Sequence, residues 1–184
     1  IAPLFIRVHD MGTRDIGTAL FWLGFAGILG TVTGGYFADR LGKRDVRWYV
    51  WLPGLATLIS VPFSTAVYTW PDPIVAFWIA AVPGFLGSYY LGPTFSMTQG
   101  LVGLRMRALA AAILLFILNL IGMGLGPMIV GATSDLLNAY TDLGDHSVRW
   151  ALVSVLIFNV LSTVFYLMAA RDLRADLARS HELS

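Results

Sequence analysis

The chain has 184 residues, of which 57% are hydrophobic and only 12% charged, with a mean hydropathy of +0.73 and a formal net charge of +1. That composition is far too apolar for an ordinary soluble domain and predicts an all-α polytopic membrane bundle. The absence of cysteine excludes disulfides, thiolate metal sites and cysteine nucleophiles.

A membrane helix needs about twenty apolar residues, and five stretches meet that length: Ile16 to Phe37, Trp48 to Tyr68, Pro73 to Gln99, Ala108 to Ser134 and Val148 to Ala170. Ahead of them, Ile1 to Val8 is too short to span and reads as the end of a sixth helix, with no basic leader or cleavage site of a secretory signal. The basic residues alternate between the connections. Arg40, Lys43, Arg44, Arg47, Arg105, Arg107, Arg171, Arg174 and Arg179 fall on one side, against Arg7, Arg14 and Arg149 on the other. The positive-inside rule makes the richer side cytoplasmic and, with it, the tail from Arg171 to Ser184, which reads as a short amphipathic helix or a solvated end.

The first span carries two rows of small residues, Ala26, Gly30, Gly34 and Gly27, Thr31, Gly35, a spacing that lets another helix come close. It ends in "GYFADRLGKR", where Asp39 opposes the dipole of its own helix and therefore needs a facing cation or helix N-terminus. Gly42 reads as the turn after it, and Lys43 and Arg44 as headgroup contacts.

The third span holds Pro83-Gly84 and Gly92-Pro93, which predict two interruptions. Broken helices survive in a bilayer only where protein or a water-filled cavity satisfies the freed carbonyls, so they point to transporter binding sites. Trp78, Val82, Phe85, Tyr89 and Ser96 share roughly one helical face, flanked by Ser88 and Tyr90; such a stripe is either packing or a ligand surface. In the fourth span Asn119 is either helix glue or a substrate contact, and "GMGLGP" predicts a bendable stretch. Asp135 ends that span and reads as hydrated. The fifth span, with Asn159 and scattered hydroxyls, reads as a lipid-facing outer helix.

No ionisable side chain falls in the middle of any span. If transport is driven by protons, the titrating group belongs to sequence outside this chain. His9, His146 and His181 are too dispersed for a metal site, no phosphate-binding loop or nucleophile elbow occurs, and the basic residues follow the membrane face. No enzyme activity, cofactor, metal or nucleic-acid partner is expected.

Gly35, Asp39, Arg40, Gly42, Lys43 and Arg44 together resemble the loop signature of the major facilitator superfamily. Both halves of such transporters have the same orientation, so topology does not choose between them. The run from Gly92 through Leu137, followed by "SVRWAL", with "GGYFADRLGKRDVRWYVWLP", resembles the C-terminal half of spinster-like members. The resemblance implies one half of a twelve-helix fold: 1–8 ending helix 7, then helices 8 (16–37), 9 (48–68), 10 (73–99), 11 (108–134) and 12 (148–170), and a cytoplasmic tail (171–184). It implies a secondary active transporter of the cell (inner) membrane, rocking against its N-terminal half and carrying an amphipathic, lipid-like molecule such as a lysophospholipid or sphingoid phosphate. Alternatives are a drug or organic-anion substrate, or a non-transporting sensor or assembly subunit. On this reading Phe85, Tyr89, Tyr90, Phe116 and Asn119 contact substrate, and Gly35, Asp39, Arg40, Gly42, Lys43 and Arg44 form a gate.

Overall fold

The computed structural model describes residues 13–140 and 146–182 and is helical almost throughout. The expected helix stub at 1–8 and the centre of the loop at 141–145 lie outside the described residues. The helices are α1 (Thr13–Gly42), α2 (Trp48–Thr69), α3 (Pro73–Leu86), α4 (Leu91–Gly100), α5 (Arg107–Ile117), α6 (Gly126–Tyr140), α7 (Ser147–Val155) and α8 (Ile157–Glu182). A 3-10 turn, Leu104–Met106, leads into α5, and a π-helical stretch, Leu118–Leu125, joins α5 to α6. Among the described residues these make five spans long and apolar enough to cross a bilayer: Gly17–Gly42, Trp48–Thr69, Pro73–Gly100, Leu104–Tyr140 and Ser147–Arg174.

The bundle is held by close backbone approach rather than by large buried side chains, as expected where lipid removes the hydrophobic drive between helices. Its fully buried apolar residues are mostly small, such as Ala38, Ala76, Ala80 and Ala151. The first span crosses the third at Gly30 and Gly34, where a Cβ on Gly30 would collide with the Phe85 carbonyl and one on Gly34 would lie 2.8 Å from the Tyr89 Cα. Second and fifth spans meet along another seam: Thr163 is 3% exposed and donates its hydroxyl to the Gly54 carbonyl and to the Asn159 carbonyl, both at 3.1 Å. The fifth span thus has an inward polar face instead of being wholly an outer, lipid-facing helix.

The third span breaks once, between the two prolines, instead of at each. Asp72 caps α3 by accepting from the Ile74 and Val75 N–H groups, with Pro73 at the first turn where its missing N–H costs nothing. The helix then runs straight through Pro83 to Leu86. Pro93 decides the site of the break, because in a continuous helix its ring would clash with the Tyr89 carbonyl. The chain answers by tightening just upstream, with Ser88 N–H on the Phe85 carbonyl and Tyr89 N–H on the Leu86 carbonyl, and restarts at Leu91 with Pro93 in its first turn.

The fourth span widens instead of breaking. Pro127 cannot donate to the Met123 carbonyl, and Gly122, Gly124 and Gly126 offer no side-chain obstacle, so the turns before it slip into the five-residue pattern, with Gly126 N–H on the Ile121 carbonyl. Its middle stands bare: Phe116, Leu120, Ile121 and Met123 are all more than half exposed. At the other end of the chain, α8 continues the fifth span without interruption to Glu182, and Leu173, 6% exposed, packs with Val50 and Ala170.

Candidate functional site

Two groups of residues singled out by the sequence can now be located. The first lies at the end of the bundle that carries Arg40, Lys43, Arg44 and Arg174. Here α1 runs past Phe37 to Gly42, which puts Asp39 and Arg40 in its last turn. Asp39 finds no guanidinium; its Oδ1 accepts a 2.9 Å hydrogen bond from the Tyr49 hydroxyl on α2. Gly42 is needed for the same ring. Its backbone is not left-handed, and a Cβ there would run into the Tyr49 ring edge, so the glycine serves a close approach and not a turn. Arg40, Lys43 and Arg44, with Leu41, line a shallow hollow of about 300 Å³. Gly35 has open space at its Cβ position while its Cα supports Gly92 of α4.

Beside this group stands Asp45, which the sequence reading passed over. Its carboxylate accepts the Arg47 N–H at 3.0 Å and pairs with Arg174 at 2.8 Å, tying the connection after the first span to α8. The Arg47 N–H, more than Arg174, holds the Asp45 carboxyl below its ordinary value, against a smaller opposing effect of burial. A charged pair 129 residues apart has no local spacing to betray it.

The second group does not form one site. Phe85 and Tyr89 stack edge-to-face at 5.3 Å, and Tyr89, 8% exposed, packs under Gly34 with its hydroxyl 3.4 Å from Thr33 Oγ1. Trp78, expected on the same stripe, is 69% exposed, because the break after Leu86 splits the face. Tyr90 turns the other way and lines an internal cavity. Phe116 is 66% exposed on the fourth span. Asn119, also exposed, donates its side-chain amide to the Leu115 carbonyl at 2.8 Å, the carbonyl its own N–H would hold in an unbroken α-helix. Its amide nitrogen therefore patches the widened turn and leaves the oxygen outward.

The internal cavity, about 450 Å³, lies among the second, third, fourth and fifth spans. It is bounded by Ser60, Ser64, Tyr68, Gly84, Asn159 and Tyr166 among others. A further cavity of about 570 Å³ lies between the fourth and fifth spans, where exposed Asp135 borders it and Ser134 and Ser147 share a buried 2.9 Å hydrogen bond. Among the described residues no three His, Cys, Asp or Glu side chains gather as metal ligands.

No protein-family model matches the chain. It is 31% identical over 179 residues to an MFS-type efflux pump of Mycolicibacterium smegmatis, a match that takes in 96% of this chain and 41% of that protein. The crystal structure of a bacterial homolog to the human lysosomal transporter Spinster, inward-facing and unoccupied, superimposes with a TM-score of 0.76 at 26% identity, covering 95% of this chain and 44% of the other. The occupied inward-facing form gives 0.76 at 25% identity, with 95% and 45% covered. The chain thus spans less than half the length of the relatives it matches. A half-length bundle of five long apolar helices, alike in fold and sequence to these transporters, identifies the chain as a spinster-like C-terminal half of the major facilitator superfamily.

Proposed function

We propose that this half-bundle belongs to a secondary active transporter that moves a small amphipathic, lipid-like molecule, of the lysophospholipid or sphingoid phosphate class, by alternating access against an N-terminal half. Its spans are then helices 8 to 12, and the end bearing Arg40, Lys43, Arg44 and Arg174 faces the cytoplasm of a cell-membrane protein. The reading rests on one observation: the fourth span, bare in its middle, carries Phe116 and the outward oxygen of Asn119 on an otherwise uncharged apolar surface. Such a surface suits a cargo with an acyl chain and a few polar atoms. Phe85 and Tyr89, packed on the first span, then support the path, while Tyr90 looks away from it. Asp39, held by Tyr49, acts as the latch of the outward-open state, with Arg40, Lys43 and Arg44 meeting the other half or lipid headgroups.

The test is uptake of a fluorescent lysophospholipid by the complete transporter in proteoliposomes. Phe116→Ala and Asn119→Ala should each slow uptake at least several-fold; wild-type rates in both would remove these residues from the path. The efflux-pump name of the mycobacterial relative favours a second cargo class, lipophilic drugs. Drug export that lysophospholipid does not compete with would establish that reading instead.

A further inference from the structure

The internal cavity of about 450 Å³ is on the opposite side of the fourth span from Phe116 and Asn119, since the residue that span contributes to it is Leu118. Its polar side chains are unspent. Ser64 Oγ, Tyr68 OH, the Asn159 amide and Ser162 Oγ make no hydrogen bond to any described residue, and none of them is sealed away as an orphaned buried atom. Ser64 is only 6% exposed as a residue. Buried polar groups left without partners inside a bilayer are costly, so something polar completes them. No lining residue is charged: Thr57, Ser60, Tyr90 and Tyr166 add only hydroxyls, and Val67, Pro83 and Leu118 apolar surface. An ion placed there would meet no countercharge.

We propose that this cavity is a second binding site, separate from the transport path, for the headgroup of an uncharged, hydroxyl-bearing amphiphile such as a monoacylglycerol. The volume lies within the usual range for small-molecule sites, roughly 300 to 1,000 Å³. Tyrosine hydroxyls and the Asn159 carboxamide can each donate and accept, which matches a polyol and gives a carboxylate or phosphate no compensation. Entry is past Leu118. That residue begins the widened Leu118–Leu125 turn, so the wall at this point is the most yielding part of the bundle.

The experiment is native mass spectrometry of the complete transporter, released from an amine-oxide detergent so that no sugar headgroup competes. Monooleoylglycerol is the probe and lysophosphatidic acid the charged control. One monooleoylglycerol per protein is expected, weakened at least tenfold by Asn159→Leu, with lysophosphatidic acid failing to displace it. Because Asn159→Leu could disturb folding, a second measurement uses the absence of cysteine from this chain. In a variant with Ser162→Cys and no other accessible thiol, an uncharged maleimide should label the new thiol, and monooleoylglycerol should slow that labelling several-fold. Absence of monooleoylglycerol binding, equal binding of lysophosphatidic acid at the same site, or labelling indifferent to monooleoylglycerol would each overturn the proposal; water alone would then occupy the cavity.

Discussion

Asp39 sits where an acid is least welcome, in the last turn of a long helix, and the Tyr49 hydroxyl rather than a cation makes it tolerable. If this contact belongs to one conformation of the transporter, losing it biases the equilibrium toward the other. Asp39→Asn should shift the distribution of distances between the two halves by about 1 to 3 kcal/mol, a five-fold to hundredfold change in populations. Tyr49→Phe should shift it the same way, at the lower end. Spin-label distance distributions on the complete protein check both, and an unchanged distribution in Asp39→Asn would mean that the acid has no latch role. The acid itself stood out in the sequence because its charge contradicts the helix dipole. Tyr49 did not, since ten residues and a loop separate it from Asp39 and nothing in a tyrosine at a helix start announces which carboxylate it will reach.

The first and third spans show how glycine rows become geometry. The i, i+4 spacing of Gly30 and Gly34 was readable as a close-packing face; that the face meets Phe85 and Tyr89 was not, because a small-residue row specifies approach and not the neighbour. Gly30→Ala must push the Phe85 backbone away and should cost about 1 to 3 kcal/mol, the usual range for overpacking. Gly35→Ala has open space in this half and should cost under about 0.5 kcal/mol. Thermal unfolding of the purified complete protein in detergent checks the pair; a large loss at Gly35 would place the opposing half's contact there. The prolines were legible as defects, yet their effects differ in kind. Pro83 is absorbed, Pro93 tightens the chain before it, and Pro127 widens the chain before it. Sequence supplies the missing N–H in each case. The neighbouring glycines and the space around the helix then decide how the backbone accommodates it.

For the bundle as a whole, the number and order of the spans followed from hydropathy and charge alternation, because bilayer thickness sets a length that composition must meet. The substrate residues fared differently. Five side chains placed on one site by helical phase were divided among three surfaces once the third span broke and the fourth widened. The tie between Asp45 and Arg174, invisible to any local pattern, fastens the last helix to the first connection. The depressed Asp45 acidity sets its pH dependence. The stabilisation is complete above the ordinary value of 3.8 and is lost as pH falls through the lower folded value. Hydrogen exchange around Leu173 and Arg174 should therefore be slow at pH 7 and accelerate at strongly acid pH. Asp45→Asn should make it fast at pH 7 as well; slow exchange in that variant would show that apolar packing alone holds the helix end.

The widened turn of the fourth span also acts as a phase shifter. Every α-helical residue advances the chain by about 100°, so removing one residue such as Met123 would restore ordinary winding and swivel everything from Gly126 onward by roughly that angle. Ser134 would rotate off Ser147, and Asp135 would point at a new neighbour. The orientation of the far third of this helix is thus written into a local surplus of backbone. A single-codon deletion should disturb transport more than many side-chain replacements along the same stretch.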